Sequence, residues 1–469
     1  MKINILPNRF SYFFLSLLVL FATAAQSASA TLIRDTEIEA GLRQLTLPLA
    51  KAAGLSDIQL RLIADESYNA FVRGGQTIYL HTGLLTKAGS TSEILGVLAH
   101  EIGHLAAGHA PRRSEAIQDA GLTTTLATLA AAALAVGGSG DAAIGVAFGG
   151  ADRANRNYLA VSRHDESVAD EYALRVMKDN GISADGMARF MRRLAAQRAL
   201  PESRQTDYYL THPGAGKRLL TFEDHIRDHG TDSPGISAKD EALMIRLIAK
   251  VAAYTNSPAT TLTEIKRIEA QNQSRSANQT DRDQQNNSWP RFDDELNLMR
   301  VAIAHFRRGD MKAAITALDE LILRYPNDPY LHEFAGDIYL FDQRPADAIS
   351  AYQKALSYQQ APLIEFGLGR AYLASADQGN DDHYRLAAEA FGRAIPFEPR
   401  WPELRRQYAI ALGRDGSLAQ ADLSLSEEAI LLGDKGRAIQ MARRALTHEN
   451  IAKETRNRAK DILFQLEGN

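Results

Sequence analysis

A chain of 469 residues in which 45% of the side chains are hydrophobic has room for two or three domains with buried cores. Its 53 Lys and Arg against 57 Asp and Glu leave a net charge of -4, with no basic block long enough to track phosphates, which excludes nucleic acid as a partner. It has no cysteine, so neither a disulfide framework nor a lipid-modified thiol is available.

Residues 1–30 read as a secretory signal: Lys2 and Arg9, the apolar run Tyr12 to Ala22, then Ala28-Ser29-Ala30 as a small-residue cleavage site, with the mature chain starting near Thr31. The apolar run is shorter than the roughly 20 residues that span a bilayer, which favours cleavage over an uncleaved anchor. Export without cysteine fits a bacterial periplasm.

From Asp35 to Ala53 the spacing of Ile38, Leu42, Leu45, Leu47 and Leu49 predicts a helix, and a strand follows around Ile58 to Ile63. Asn69-Ala70-Phe71-Val72 and Thr77-Ile78-Tyr79-Leu80, separated by Gly74-Gly75, predict a hairpin or paired edge strands. The free backbone of an edge strand could pair with an extended peptide, although an ordinary sheet strand would look the same.

Ser92 or Thr91 is the expected cap of the next helix, with Glu93 in its first turn. That helix carries His100-Glu101-Ile102-Gly103-His104. Four residues apart on a helix, His100 and His104 share a face and can share one ion. Imidazole nitrogen suits zinc, and a catalytic zinc needs a third protein ligand and one position for water. Glu101 is then the general base, taking a proton from a water whose pKa zinc lowers toward about 7. His109 does not fall at the spacing of a third ligand in the metzincin arrangement, so it is expected to support the site or the fold.

Thr123 to Gly150 is rich in Ala, Leu, Gly and Thr but is broken around Gly137 to Asp141, which favours two short buried or lid-like helices over a membrane span. Ser162 to Glu171 then offers acidic residues where the metal lacks a ligand. Glu166 could bind zinc while Asp170, four residues on, accepts a hydrogen bond from a ligand histidine. By chemistry alone His164, Asp165 and Glu171 are rivals, and acidic residues also favour helix starts.

Gln271 to Asn287 is almost free of apolar residues and cannot fold alone. It is the expected linker, 271–291, between a peptidase domain (31–270) and a repeat domain (292–469). In the second, Ala314, Leu318, Leu321 and Pro326 precede Ala348, Tyr352, Ala355 and Gln360 by the 34-residue tetratricopeptide period. Gly336, Tyr339, Ala348, Tyr352 and Ala355 recur as Gly369, Tyr372, Ala387, Phe391 and Ala394, with an insertion around Asp377 to Asp382. A looser unit holds Ala438, Ala442 and Ala445. Stacked repeats form a concave surface suited to extended peptides or a partner's helix, or else simply cap the peptidase domain.

Asn69-Ala70-Phe71, Gly83-Leu84-Leu85, His100-Glu101-Ile102-Gly103-His104, Ser162-Arg163 with Glu166 and Ala169-Asp170, and Thr211-His212-Pro213 with Arg218 together resemble one family. It is the zinc endopeptidase family of the CAAX prenyl protease and the membrane heat-shock protease, in particular its soluble periplasmic branch with helical repeats. The resemblance implies one Zn2+ per chain on His100, His104 and Glu166, Glu101 as base, and Asp170 as a partner of the ligands. It implies further that His212 approaches zinc from a loop and occupies its open position as a latch. Alternatively His212 and Arg218 stabilise the oxyanion, or Thr-His-Pro is only a helix-start turn.

The fold class expected is mostly α: an HExxH zinc-peptidase domain with a small β-sheet, followed by a tetratricopeptide solenoid. The function expected is a periplasmic zinc endopeptidase acting on unfolded or misassembled outer-membrane barrel proteins, the repeats contacting those substrates or the assembly machinery. One competing reading is a repeat-based chaperone or assembly adaptor with a largely structural zinc. Another is a peptidase making peripheral membrane contact through 123–150.

Overall fold

The computed structural model describes residues 32–73, 75–109, 163–199, 208, 212–230, 235–275, 290, 292–449 and 451–468. The expected signal segment, the Ala-rich stretch 123–150 and most of the linker lie outside these residues. Among the described residues no helix is long and apolar enough to cross a membrane.

The first half begins with β1 (Leu32–Ile33) and α1 (Thr36–Ala52). Asp35 caps α1 by accepting from the Ile38 amide. Strands β2 (Gln59–Ile63), β3 (Ala70–Val72) and β4 (Thr77–His81) complete a four-stranded sheet of order β1-β2-β4-β3. The two strands read as paired edges are antiparallel neighbours, but β4 is interior: it also pairs in parallel with β2, and only β3 stands at the edge. The β4 positions Ile78 and Leu80 are fully buried, which is why an interior place suits it.

Helix α2 (Thr82–Lys87) leads to α3 (Thr91–Ala106). Its cap is Ser90, not Thr91 or Ser92: Ser90 has the extended backbone a cap requires and its side chain accepts from the Glu93 amide. Helix α4 (163–179), α5 (Asp185–Ala196) and α6 (Ala215–His229) pack around α3 in one core that includes Leu98, Ile102, Val176, Met191 and Phe222.

Helix α7 (Ala238–Thr255) belongs to both halves. Met244, Leu247, Ile248 and Val251 enter the first core, while Ala249 and Ala253 join Met299 and Ile303 of the second half. Helix α8 (Pro258–Arg275) runs into the first residues of the expected linker and packs on α9 (Asp294–Arg307), where Glu264 pairs with Arg300. The stack of helices therefore starts before the polar stretch.

Beyond it lie α10 (Met311–Arg324), α11 (Pro329–Phe341), α12 (Pro345–Tyr358), α13 (Pro362–Ala376), α14 (His383–Ala394), α15 (Pro402–Arg414), α16 (Leu418–Leu431), α17 (Lys435–Thr447) and α18 (Lys453–Glu467). These are the tetratricopeptide-type hairpins expected, with the insertion just before α14. A Cβ at Gly336 would meet the Tyr352 ring at 2.8 Å, and one at Gly369 would meet Phe391 at 2.6 Å. The absent side chain is what lets the ring of the second helix lie against the first.

The two halves touch through charges. Lys250 bonds Asp35 and Glu37 at 2.9 to 3.0 Å, and Arg246 pairs with Glu37 and with Asp328 of the α10–α11 turn. Glu398 takes both Arg34 and Arg61, and Trp401 lies under the Arg34 guanidinium.

Candidate metal centre

His100 and His104 project from one face of α3, as the four-residue spacing requires, with their Nε2 atoms 3.1 Å apart. Opposite them, α4 brings Glu166, whose Oε2 is 3.2 Å from His100 Nε2 and whose Oε1 is 3.3 Å from His104 Nε2. All three are buried. Ligands about 2.0 to 2.1 Å from a tetrahedral ion stand about 3.3 Å from one another, so these three atoms are spaced like three corners of one coordination shell. His212, on the loop before α6, completes a cluster whose ligand-capable atoms all lie within 4.8 Å of one another. Its Nε2 is buried without a hydrogen-bond partner, an orphaned acceptor where a cation would satisfy it. The donor set fits a metal ion.

Of the acidic residues near Glu166, the helix sorts the roles. Asp170, one turn on, accepts from His100 Nδ1 at 2.9 Å, which leaves the His100 Nε2 lone pair facing the cluster. His164 and Glu171 are exposed. Asp165 points elsewhere, toward His109. Arg218 of α6 donates to both Asp170 oxygens and to Glu166, each at 2.7 Å, so its guanidinium is engaged in holding the carboxylates. Glu101 is buried beside this cluster, its Oε1 3.7 Å from His212 Nε2.

Burial works against the Glu166 carboxylate, yet the His212 and Arg218 charges hold it well below the ordinary carboxylate range. Asp170 is lowered in the same way by Arg218. Burial and Arg218 oppose protonation of His100, but its hydrogen bonds to Asp170 and Glu166 outweigh them and lift it to about 9. His104 goes the other way, its burial pushing it well below its ordinary value.

Nothing in the sequence had singled out Tyr208. Its ring stacks on His212 with centroids 4.1 Å apart, and its carbonyl accepts from the His212 amide at 2.9 Å. The four-residue separation was the available signal. Burial, with the Glu101 charge next, keeps the phenol protonated well above its usual range.

Gly103 sets the distance between α3 and α4. A Cβ there would stand 2.7 Å from the Ala169 carbonyl and 2.9 Å from Tyr172 Cβ, both on α4. Gly103→Ala is therefore expected to push α4, and Glu166 with it, away from the histidines. The expected loss of metal affinity is about tenfold, the scale on which supporting contacts act, and chelator competition measures it. Unchanged affinity would show that the helix gap is not what places Glu166.

Residues 36–225 match peptidase family M48. A Vibrio cholerae relative is 32% identical over 171 residues, which cover 36% of this chain but only 34% of that protein. The beta-barrel assembly-enhancing protease of Yersinia pestis is 24% identical over 412 residues, 87% of this chain and 79% of its own. Among solved structures, a MamA protein aligns over 37% of this chain and 92% of its own, with 20% identity and a TM-score of 0.29.

Proposed function

With residues 36–225 a peptidase family M48 domain, we propose that the chain is a zinc-dependent endopeptidase of the periplasm that cleaves misassembled outer-membrane barrel proteins. The observation that carries the chemistry is the buried cluster of His100, His104 and Glu166 with Glu101 beside it. The substrate class and compartment rest on the relatives' names and on the leader-like residues 1–30.

His100, His104 and Glu166 would hold the ion. Bound there, zinc would supply a Lewis acid and a water of lowered pKa. Glu101 takes the proton of the attacking water and returns it to the leaving amine. Asp170 holds the His100 ring in the tautomer that presents Nε2, and Arg218 keeps both carboxylates ionised and oriented. The open edge of β3, which adjoins α3, offers backbone groups to an extended substrate.

His212 serves as a latch in this reading: a neutral imidazole in the fourth position leaves no place for the attacking water. Its burial in the cluster and its unpartnered Nε2 support this. His212→Ala is then expected to raise basal proteolysis, by roughly tenfold if the latch is closed in about nine molecules of ten. Unchanged or lower turnover would remove the latch.

The experiment for the whole proposal is zinc content per chain together with cleavage of an unfolded barrel protein. About one zinc per chain, and cleavage that a chelator stops and added zinc restores, is the expected result. Cleavage that survives complete metal removal would overturn it.

A further inference from the structure

His109 and Asp165 have no part in the chemistry above, yet both are buried beside it. His109 follows the end of α3, and Gly108, at φ +67°, takes the left-handed turn that brings the chain back under the helix. The His109 ring thereby meets His104, with the two Nδ1 atoms 2.8 Å apart. On its far side His109 Nε2 lies 3.5 Å from Asp165 Oδ1. Asp165 directly precedes Glu166, so a single turn of α4 supplies both carboxylates.

We infer that His109 and Asp165 are positioning residues that form, with His104, a hydrogen-bonded chain fixing the His104 tautomer so that its Nε2 lone pair faces the metal. The inference rests on reading His100, His104 and Glu166 as metal ligands.

Proton counting sets the chain's direction. Between two Nδ1 atoms at this distance one nitrogen donates and the other accepts. If His109 donated, the His104 proton would sit on Nε2, where it would meet His100 Nε2 at 3.1 Å and remove the lone pair from the ligand face. With His104 Nδ1–H donating, His109 accepts at Nδ1 and carries its own proton on Nε2, directed at Asp165. The two ligand histidines are thus backed by different means. His100 reaches a carboxylate directly through Asp170, and His104 reaches one through an intervening imidazole. The second arrangement spans a gap that a carboxylate on α4 leaves open.

The test uses the full chain with Zn2+ and a chromophoric chelator as competitor, and the Co2+ form as a spectroscopic probe. His109→Ala is expected to weaken zinc about 10- to 100-fold, the range over which such supporting contacts act, and to shift the Co2+ d–d bands. His109→Gln offers an oxygen to His104 and an amide to Asp165, and is expected to restore most of the affinity. Asp165→Asn should cost less, in the same direction. In the zinc-loaded wild type, 15N imidazole NMR should place the His104 proton on Nδ1, a reading that needs no variant to fold. Zinc affinity unchanged by His109→Ala, equal losses for Ala and Gln, or a His104 proton on Nε2 would each overturn the chain. A wild type that binds no stoichiometric zinc would bring down the metal reading itself, and the chain with it.

Discussion

Glu101→Gln is expected to abolish proteolysis while leaving the metal content of the protein unchanged. The substitution keeps the shape of the side chain, so the helix that presents His100 and His104 has no reason to move. It removes the one property the reaction needs from Glu101, a carboxylate able to take a proton and give it back. General acid–base catalysis contributes roughly 10²- to 10⁴-fold, so the expected loss lies in that range, equivalent to about 3 to 5 kcal/mol of barrier. Glu101 Oε1 lies 3.7 Å from His212 Nε2, whereas Glu166 is held by Arg218 and by His212 Nδ1, contacts the substitution leaves in place. Zinc content, thermal unfolding and cleavage of an unfolded barrel protein, measured on the same preparation, separate chemistry from structure. A variant that retains zinc and folds but still cleaves within about tenfold of wild type would show that the general base is another group. If the cleavage-dead variant performed the full biological role, the repeat domain's adaptor function would be the one that matters, and zinc would be structural.

The helix of His100 and His104 was legible in the sequence because a four-residue spacing has one geometric meaning on a helix. Glu166 was not separable from Asp165, His164 and Glu171 by chemistry. What separates them is where a rotation of about 100° per residue points each one once α4 is docked against α3, and that docking depends on Gly103 meeting Ala169 and Tyr172. The repeats were legible for the same reason as the helix: Tyr352 and Phe391 recur where a glycine of the preceding helix makes room for a ring. The place of β4 inside the sheet was not, because a parallel partner such as β2 leaves no local mark. The charges joining the two halves were invisible for a related reason. Lys250 and Asp35 are more than 200 positions apart, as are Arg61 and Glu398, and a charged residue read alone belongs on the surface.

Lys250→Met is expected to cost about 3 to 5 kcal/mol of stability, because it removes the ammonium from the buried Glu37 carboxylate and from the half-buried Asp35. Lys250 and Glu37 are buried at the seam where α1, α7 and α11 meet, and Thr36 donates there to Glu333. By contrast Arg227 and Asp224, more than half exposed, make a pair whose removal by Arg227→Ala should cost well under about 1 kcal/mol. The same seam gives the stability a dependence on pH with two opposed limbs. Burial opposes ionisation of Glu37, but Lys250 and Arg246 hold its carboxyl below the ordinary range, so its contribution is present above the unfolded value and is lost as pH falls through the folded one. Glu333 is the reverse. Burial, then the charges of Asp35 and Asp337, push it well above the ordinary range, so its contribution is complete below the unfolded value and is lost as pH rises through the folded one. Lys250 lowers both groups, so without it the alkaline limb should extend to higher pH, and the Glu37 component of the acid limb should shrink to what Arg246 alone sustains. Denaturant unfolding of wild type and Lys250→Met across the pH range measures both effects. A cost below about 1 kcal/mol, or an alkaline limb that stays where it was, would mean that the seam's carboxylates are satisfied without the lysine.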